Sequence, residues 1–347
     1  MKQELFTMLN IGIIGCGTIA RVRHAPEYSR NPDCRLTAFA DAVPGRAAEL
    51  ASLYRADAFE DYRALLRRSD IDAVSLCSAN QTHAVIAREA LLSGKHVLCE
   101  KPMALTVEDA EMLCKTSKET GRLLIPAHNQ RLFPAHQEAM KILRTGRMGR
   151  VISFTASFRH GGPESWSIDS QGGCWFFSKA AGCGVLSDLA VHKIDLINAL
   201  LGEPITGVVS DLSTLDKKDA SGTPIEVCDH ASLLCRTEGG VHGVIMASWC
   251  NYGQEENSVS LYCENGRMLI YCWPNADLVL ETRDGERTVL SFGGLSTNQA
   301  QQPSGVIDAF VDAVLHRRPP FATAYDGLCC VAAMALAQAE PGASHSR

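Results

Sequence analysis

Over its first 130 residues the chain alternates short, continuous apolar runs with amphipathic stretches, and this alternation limits the fold more than any other feature. The pattern predicts strands at Leu9–Ile14, Arg35–Ala40, Ala73–Cys77, His96–Cys99 and Leu123–Ala127. Helices are predicted near Ile19–Ser29, Pro44–Leu53, His83–Leu92 and Val107–Thr120. Strands that are apolar on both faces belong in a sheet covered by helices on both sides. Right-handed strand–helix–strand units then give an open parallel sheet, so residues 1–130 read as an α/β Rossmann domain.

The pattern changes near residue 150. Val151–Phe158 reads as a strand, His160–Gly184 as a glycine-rich irregular stretch, and Val185–Leu201 as a helix. Strand patterns with turn signals between them follow at Gly207–Thr214, Ala231–Arg236, Gly240–Ser248, Ser258–Tyr262, Arg267–Cys272, Asp277–Glu281 and Thr288–Phe292. Helices near Val306–Leu315 and Ala324–Ala339 close the chain. Consecutive strands of this kind imply an α+β C-terminal domain over residues 131–347 with a large, mainly antiparallel open sheet. The last helices are free to pack back on the first domain. A length of 347 residues, too great for one ordinary core, agrees with two domains.

Composition excludes several classes. The formal net charge of −6 gives no reason to expect nucleic acid or an anionic membrane as partner. No run of ~18 apolar residues appears, and MKQELFTMLN lacks the apolar core of a secretory signal, so a cytoplasmic protein is expected. The 14 cysteines form no CxxC pair and no Cys/His ligand cluster. They read as small buried hydrophobes, and no metal site is expected.

The first strand runs directly into Gly15-Cys16-Gly17-Thr18-Ile19-Ala20, a GxGxxA string that opens a helix. The first glycine permits a tight turn, the second lets backbone approach a pyrophosphate, and Ala20 allows close helix–strand packing. The pyrophosphate would lie over the helix N-terminus, where free N–H groups favour an anion. Asp41 closes the second strand and is placed to bind ribose hydroxyls. A carboxylate there repels a 2′-phosphate and Ala42 offers no compensating charge, although Arg46 of the next helix is within reach. NAD is therefore expected over NADP.

Three further strings fall into place with this motif: Ser78-Ala79-Asn80-Gln81-Thr82-His83, then Glu100-Lys101-Pro102 at the end of the following strand, and the Asp188-xxx-His192-xx-Asp195 helix after Gly182-Cys183-Gly184. In combination they resemble the Gfo/Idh/MocA oxidoreductases over nearly the whole chain. The resemblance implies an NAD(P)-dependent dehydrogenase or reductase acting on a sugar, a cyclic polyol or a derivative, assembled as a homodimer or homotetramer through the open sheet face. It places the catalytic lysine on Lys101 and the catalytic aspartate and histidine on Asp188 and His192. Gly15, Gly17, Thr18, Ile19, Asp41, Ser78, Asn80, His83, Glu100, Lys101 and Asn129 fall on its cofactor-binding positions. The chain departs from the family pattern at Cys183 and Ala190, where glycine is usual, and at Ser78-Ala79, where Thr-Pro is frequent.

The residues themselves carry a consistent chemistry. Asp188 and His192 are four apart on a predicted helix and so share a face. A histidine beside a carboxylate is suited to general-base work, since imidazole titrates near pH ~6.5. Lys101, at the carboxyl end of a parallel strand, is suited to stabilising a developing alkoxide. Asp195 reads as structural. Trp166 and Trp175 lie in the irregular stretch and are candidates for stacking on a sugar ring, with Lys101, Asp188 and His192 as the other expected substrate contacts. Arg131 and Lys193 are further candidates. Two alternatives stay open: a glycoside-cleaving enzyme that oxidises its sugar transiently, and a non-catalytic dinucleotide-binding regulator.

Overall fold

The computed structural model describes residues 8–165, 167–168, 175–182, 184–294 and 303–339. The chain divides into two compact units, Met1–Asn129 with Asn298–Leu328, and Gln130–Thr297 with Cys329–Arg347. No helix among the described residues is long and apolar enough to cross a membrane.

The first unit is built on six strands, β1 (Leu9–Ile14), β2 (Cys34–Ala40), β3 (Asp57–Phe59), β4 (Ala73–Leu76), β5 (His96–Cys99) and β6 (Leu124–Pro126). They lie in the order β3-β2-β1-β4-β5-β6 and every pairing is parallel. Strand order reverses between β1 and β4, the place where open parallel sheets bind ligands beyond their carboxyl ends. Ile11, Ile13, Val74, Leu76, Val97 and Leu98 are fully buried, as the continuous apolar runs require. The connecting helices are α1 (Ala25–Arg30), which continues a π-helical turn at Ala20–His24, α2 (Arg46–Tyr54), α3 (Tyr62–Leu66), α4 (His83–Leu92) and α5 (Val107–Thr120). Thr106 caps α5 by accepting the Asp109 N–H, and Gly121 ends it in the left-handed conformation. β3, with 3 residues, and α3, with 5, are too short to show a period and escape the sequence reading.

The second unit begins with α6 (Pro134–Arg144), an amphipathic helix that the sequence reading left unassigned. Its sheet comprises β7 (Val151–Arg159), β8 (Ile205–Ser213), β9 (His230–Thr237), β10 (His242–Ser248), β11 (Glu256–Cys263), β12 (Gly266–Trp273), β13 (Ala276–Thr282) and β14 (Arg287–Leu290). The order is β14-β13-β12-β11-β7-β10-β9-β8. Only β7 and β10 pair in parallel; all other neighbours are antiparallel. Register places Leu233, Ile245, Ala156, Val259, Ile270 and Leu278 in one row on the inner face. This row shares a core with Ile194 and Ile197 of α7 (Val191–Leu201). The opposite face carries Val209, Leu234, Val244, Thr155, Ser260 and Leu269 in register.

The helix expected over Val185–Leu201 is not uniform. Leu186–Ala190 forms a π-helical turn and α7 starts only at Val191, whose N–H reaches back to the Leu186 carbonyl. Asp188 therefore lies on the widened turn and His192 on the first turn of α7. α8 (Val306–Leu315) belongs to the first unit, where Asp308 accepts from Asn31. Just ahead of α8, Ser304 donates twice to Glu27. The last helix, α9, spans Ala324–Gln338.

Candidate active site

The glycine loop sits where the strand order reverses. Gly15 has φ +92°, and a Cβ there would meet the Cys77 carbonyl carbon and the Ser78 nitrogen at 2.4 Å. A Cβ on Gly17 would meet nothing within 4 Å. A first glycine demanded by packing and a second facing open space suit the loop to a dinucleotide. Asp41 fixes the loop, since its Oδ2 accepts the Cys16 N–H at 2.7 Å and its Oδ1 the Val43 N–H at 2.8 Å. The carboxylate stays half-exposed and keeps lone pairs for ribose hydroxyls. Thr18 and Ile19 are half-buried in the turn that follows. Cys16 is buried, and burial, with the Asp41 charge adding, pushes its thiol up to about 12. It packs as a small hydrophobe.

Ser78 and Thr82 share a hydroxyl–hydroxyl contact of 2.7 Å in the loop after β4, beside the buried Asn80. His83 is fully buried, with Nδ1 2.8 Å from the Pro102 carbonyl and Nε2 3.0 Å from that of Ser78. Burial lowers its pKa, so the neutral ring donates to one of these carbonyls and packs against the other at the carboxyl ends of the strands. Glu100 also turns inward. It lies 2.9 Å from His24 Nε2 and 3.9 Å from the Arg23 guanidinium, while the Lys101 N–H reaches its other oxygen at 3.3 Å. Burial pushes the Glu100 carboxyl up, but the His24 hydrogen bond and the charges of His24, Arg23 and Lys101 outweigh it and hold it at about 2. The second ring nitrogen of His24 meets Ser75 Oγ at 2.8 Å.

This network ties the helix after the glycine loop to the strand end that carries Lys101, which is half-buried. Sequence reasoning missed His24 and Ser75, because their partners are 51 and 76 residues distant and no local spacing signals them. Asn129 Oδ1 is buried with no hydrogen-bond partner, a polar atom whose need a bound amide would meet.

In the second unit, Asp188 is buried on the π-turn and His192 is half-buried on α7. The His192 ring stands edge-on to Phe158 of β7, centroids 5.8 Å apart. Asp188 Oδ2 accepts the indole N–H of Trp249 at 3.1 Å. Trp249, directly after β10 and fully buried, is another functional neighbour the sequence reading missed; a tryptophan closing an apolar strand reads as core. Trp175 packs on Phe176 at 4.1 Å, and Phe176 and Phe177 both contact the Trp249 ring. Trp166 lies outside the described residues.

Two further candidates are buried and paired within the second unit. Arg131 clasps Asp195 with two hydrogen bonds of 2.8 and 2.7 Å, both side chains buried, which agrees with Asp195 as a structural residue. Lys193 is fully buried, its Nζ 2.5 Å from Asn257 Oδ1, and burial lowers its pKa to about 7.

Comparison with known proteins agrees with the fold. Residues 9–128 match the model of an oxidoreductase family with an NAD-binding Rossmann fold, and residues 136–269 match the GFO/IDH/MocA C-terminal domain. The chain is 28% identical over 332 residues to inositol 2-dehydrogenase of Rhizobium meliloti, covering 95% of both chains. It is 31% identical over 274 residues to levoglucosan dehydrogenase of Pseudarthrobacter phenanthrenivorans, covering 71% of this chain and 69% of that one. Among solved structures, levoglucosan dehydrogenase in complex with NADH and levoglucosan superposes with a TM-score of 0.81 at 25% identity, over 94% of this chain and 95% of the other. With both domain models matched in order and a nucleotide loop shaped for a dinucleotide, the chain belongs to the Gfo/Idh/MocA family and is an NAD-dependent oxidoreductase.

Proposed function

We propose that the enzyme is a dehydrogenase or reductase acting on a ring hydroxyl of a sugar, cyclic polyol or derivative, with Lys101, Asp188 and His192 as its catalytic residues. The observation that carries the reading is that a chain whose first unit holds a dinucleotide loop carries, within its second unit, a buried carboxylate and an imidazole four residues apart. Relatives named inositol 2-dehydrogenase and levoglucosan dehydrogenase support the substrate class. NAD supplies the two-electron acceptor for the carbinol carbon. His192 takes the hydroxyl proton, Lys101 hydrogen-bonds the same oxygen as charge develops on it, and Asp188 orients the proton-transfer pair. Gly15, Gly17, Thr18, Ile19, Asp41, Ser78, Asn80 and Asn129 serve the cofactor, with His83 and Glu100 acting through the loops they hold.

The same reading makes the protein a cytoplasmic homo-oligomer. Val209 and Leu234 stand 63% and 60% exposed and directly opposite each other on the outer sheet face, an apolar surface that suits burial against a second copy. The test is NADH formation with a panel of inositols, levoglucosan, simple glycosides and sugar acids. Formation with at least one ring alcohol is expected; no turnover with any of them refutes the proposal. Light scattering that gives a 37.5 kDa particle at micromolar concentration refutes the oligomer.

A further inference from the structure

We propose that Trp249 is a positioning residue of the proton-transfer site, acting through the hydrogen bond from its indole N–H to Asp188; the inference rests on the catalytic role given to Asp188 above.

Three features fix Asp188. Its backbone N–H donates to the Gly184 carbonyl at 3.0 Å, where Gly184 has φ +117°. The Leu186–Ala190 π-turn sets the direction in which its side chain leaves the helix. The indole N–H then occupies Oδ2 at 3.1 Å. π-Turns interrupt α-helices at a cost and recur at functional sites, and this one holds Asp188 and ends where the His192 segment begins. An indole N–H has no acceptor capacity, so it can only donate, and an ionised carboxylate is its best partner in a buried place. One carboxylate oxygen is thereby directed to Trp249.

Trp249 is itself fixed in turn. Its backbone N–H donates to the Asp229 carbonyl at 2.8 Å. The Asp229 carboxylate, fully buried, accepts backbone N–H groups from Leu215, Asp216 and Lys217 at 2.7 to 2.9 Å. Phe177 packs on the indole with ring centroids 5.9 Å apart. A donor with this little freedom selects one orientation of Asp188 before substrate arrives, which is what a proton-transfer geometry needs.

Two measurements test this together. Wild type and Trp249→Phe are compared in NAD-linked oxidation of levoglucosan and myo-inositol, with active sites counted by NADH titration. In parallel, protein with nitrogen-15-labelled tryptophan gives each indole N–H its own resonance. The Trp249 resonance is the one lost in Trp249→Phe. The expected result is a kcat lower by about 10- to 100-fold, the range for a misplaced catalytic group, with KM and NADH affinity unchanged. The Trp249 resonance should also move in Asp188→Asn. Where Trp249→Phe folds poorly, 3-benzothienylalanine at position 249 keeps the bicyclic shape and removes only the N–H. Full kcat in either variant, or a Trp249 resonance indifferent to Asp188→Asn, overturns the inference. A wild type that oxidises no sugar in the panel sinks the dehydrogenase reading instead, and the resonance shift then still supports the pairing.

Discussion

Alanine at each of the two loop glycines should produce opposite defects. At Gly15 the backbone has φ +92°, which costs a side-chain-bearing residue about 1–2 kcal/mol. The new Cβ would also lie 2.4 Å from backbone atoms of Cys77 and Ser78, and backbone cannot swing aside as a flexible side chain does. Relieving that overlap adds about 1–3 kcal/mol of overpacking strain. Together these give roughly 2–5 kcal/mol, or a midpoint of thermal unfolding lower by roughly 5–15 °C for a unit of this size. Gly17→Ala meets no protein atom within 4 Å, so thermal stability should be unchanged or slightly raised. Its methyl instead fills the space where a pyrophosphate approaches the backbone. The same overpacking range then falls on the ligand, weakening NADH by a factor of roughly 5–150. The assays are thermal unfolding without ligand and NADH titration by fluorescence. Wild-type NADH affinity in Gly17→Ala, or wild-type thermal stability in Gly15→Ala, would refute the reasoning.

Glu100 titrates at about 2 against an ordinary 4.5, so its network stabilises the fold above pH 4.5. That contribution, about 3 kcal/mol, is lost as pH falls from 4.5 towards 2. Glu100→Gln should flatten the fall of thermal stability in that window, and an unchanged slope counts against the network. Because Asp41 repels a 2′-phosphate, wild type should bind NADH more tightly than NADPH and Asp41→Ala should narrow the gap; a wild type that prefers NADPH contradicts this. His192→Ala and Lys101→Ala should each lower kcat by about 10²–10⁴-fold. Their combined effect should be less than additive if both serve one oxygen, so a fully additive double variant argues for separate roles. Asp195→Ala removes both hydrogen bonds that Asp195 makes to the buried Arg131 guanidinium and should cost about 3–5 kcal/mol of stability. A drop in kcat of the folded fraction with stability intact would make Asp195 catalytic instead.

Much of this protein was legible in its sequence because the relevant interactions are local. The period of apolar residues reports whether a segment is covered on one face or two, so nearly every longer strand and helix was predicted to within a few residues. The nucleotide loop was legible for the same reason: Gly15 and Gly17 act through backbone conformation and the absence of a side chain, both written in consecutive residues. What spacing alone does not show is the widened turn in the helix carrying Asp188 and His192. A π-turn is one residue's worth of extra backbone, and nothing in Leu186–Ala190 announces it; packing of the turn against the sheet and Trp249 decides it. The partners of Asp188, Glu100 and Asp195 lie 61, 76 and 64 residues away along the chain. A buried charge must be paired, but the sequence does not state with what. Topology brings those groups together, and only the tertiary structure shows that His24 serves Glu100, Arg131 serves Asp195 and Trp249 serves Asp188.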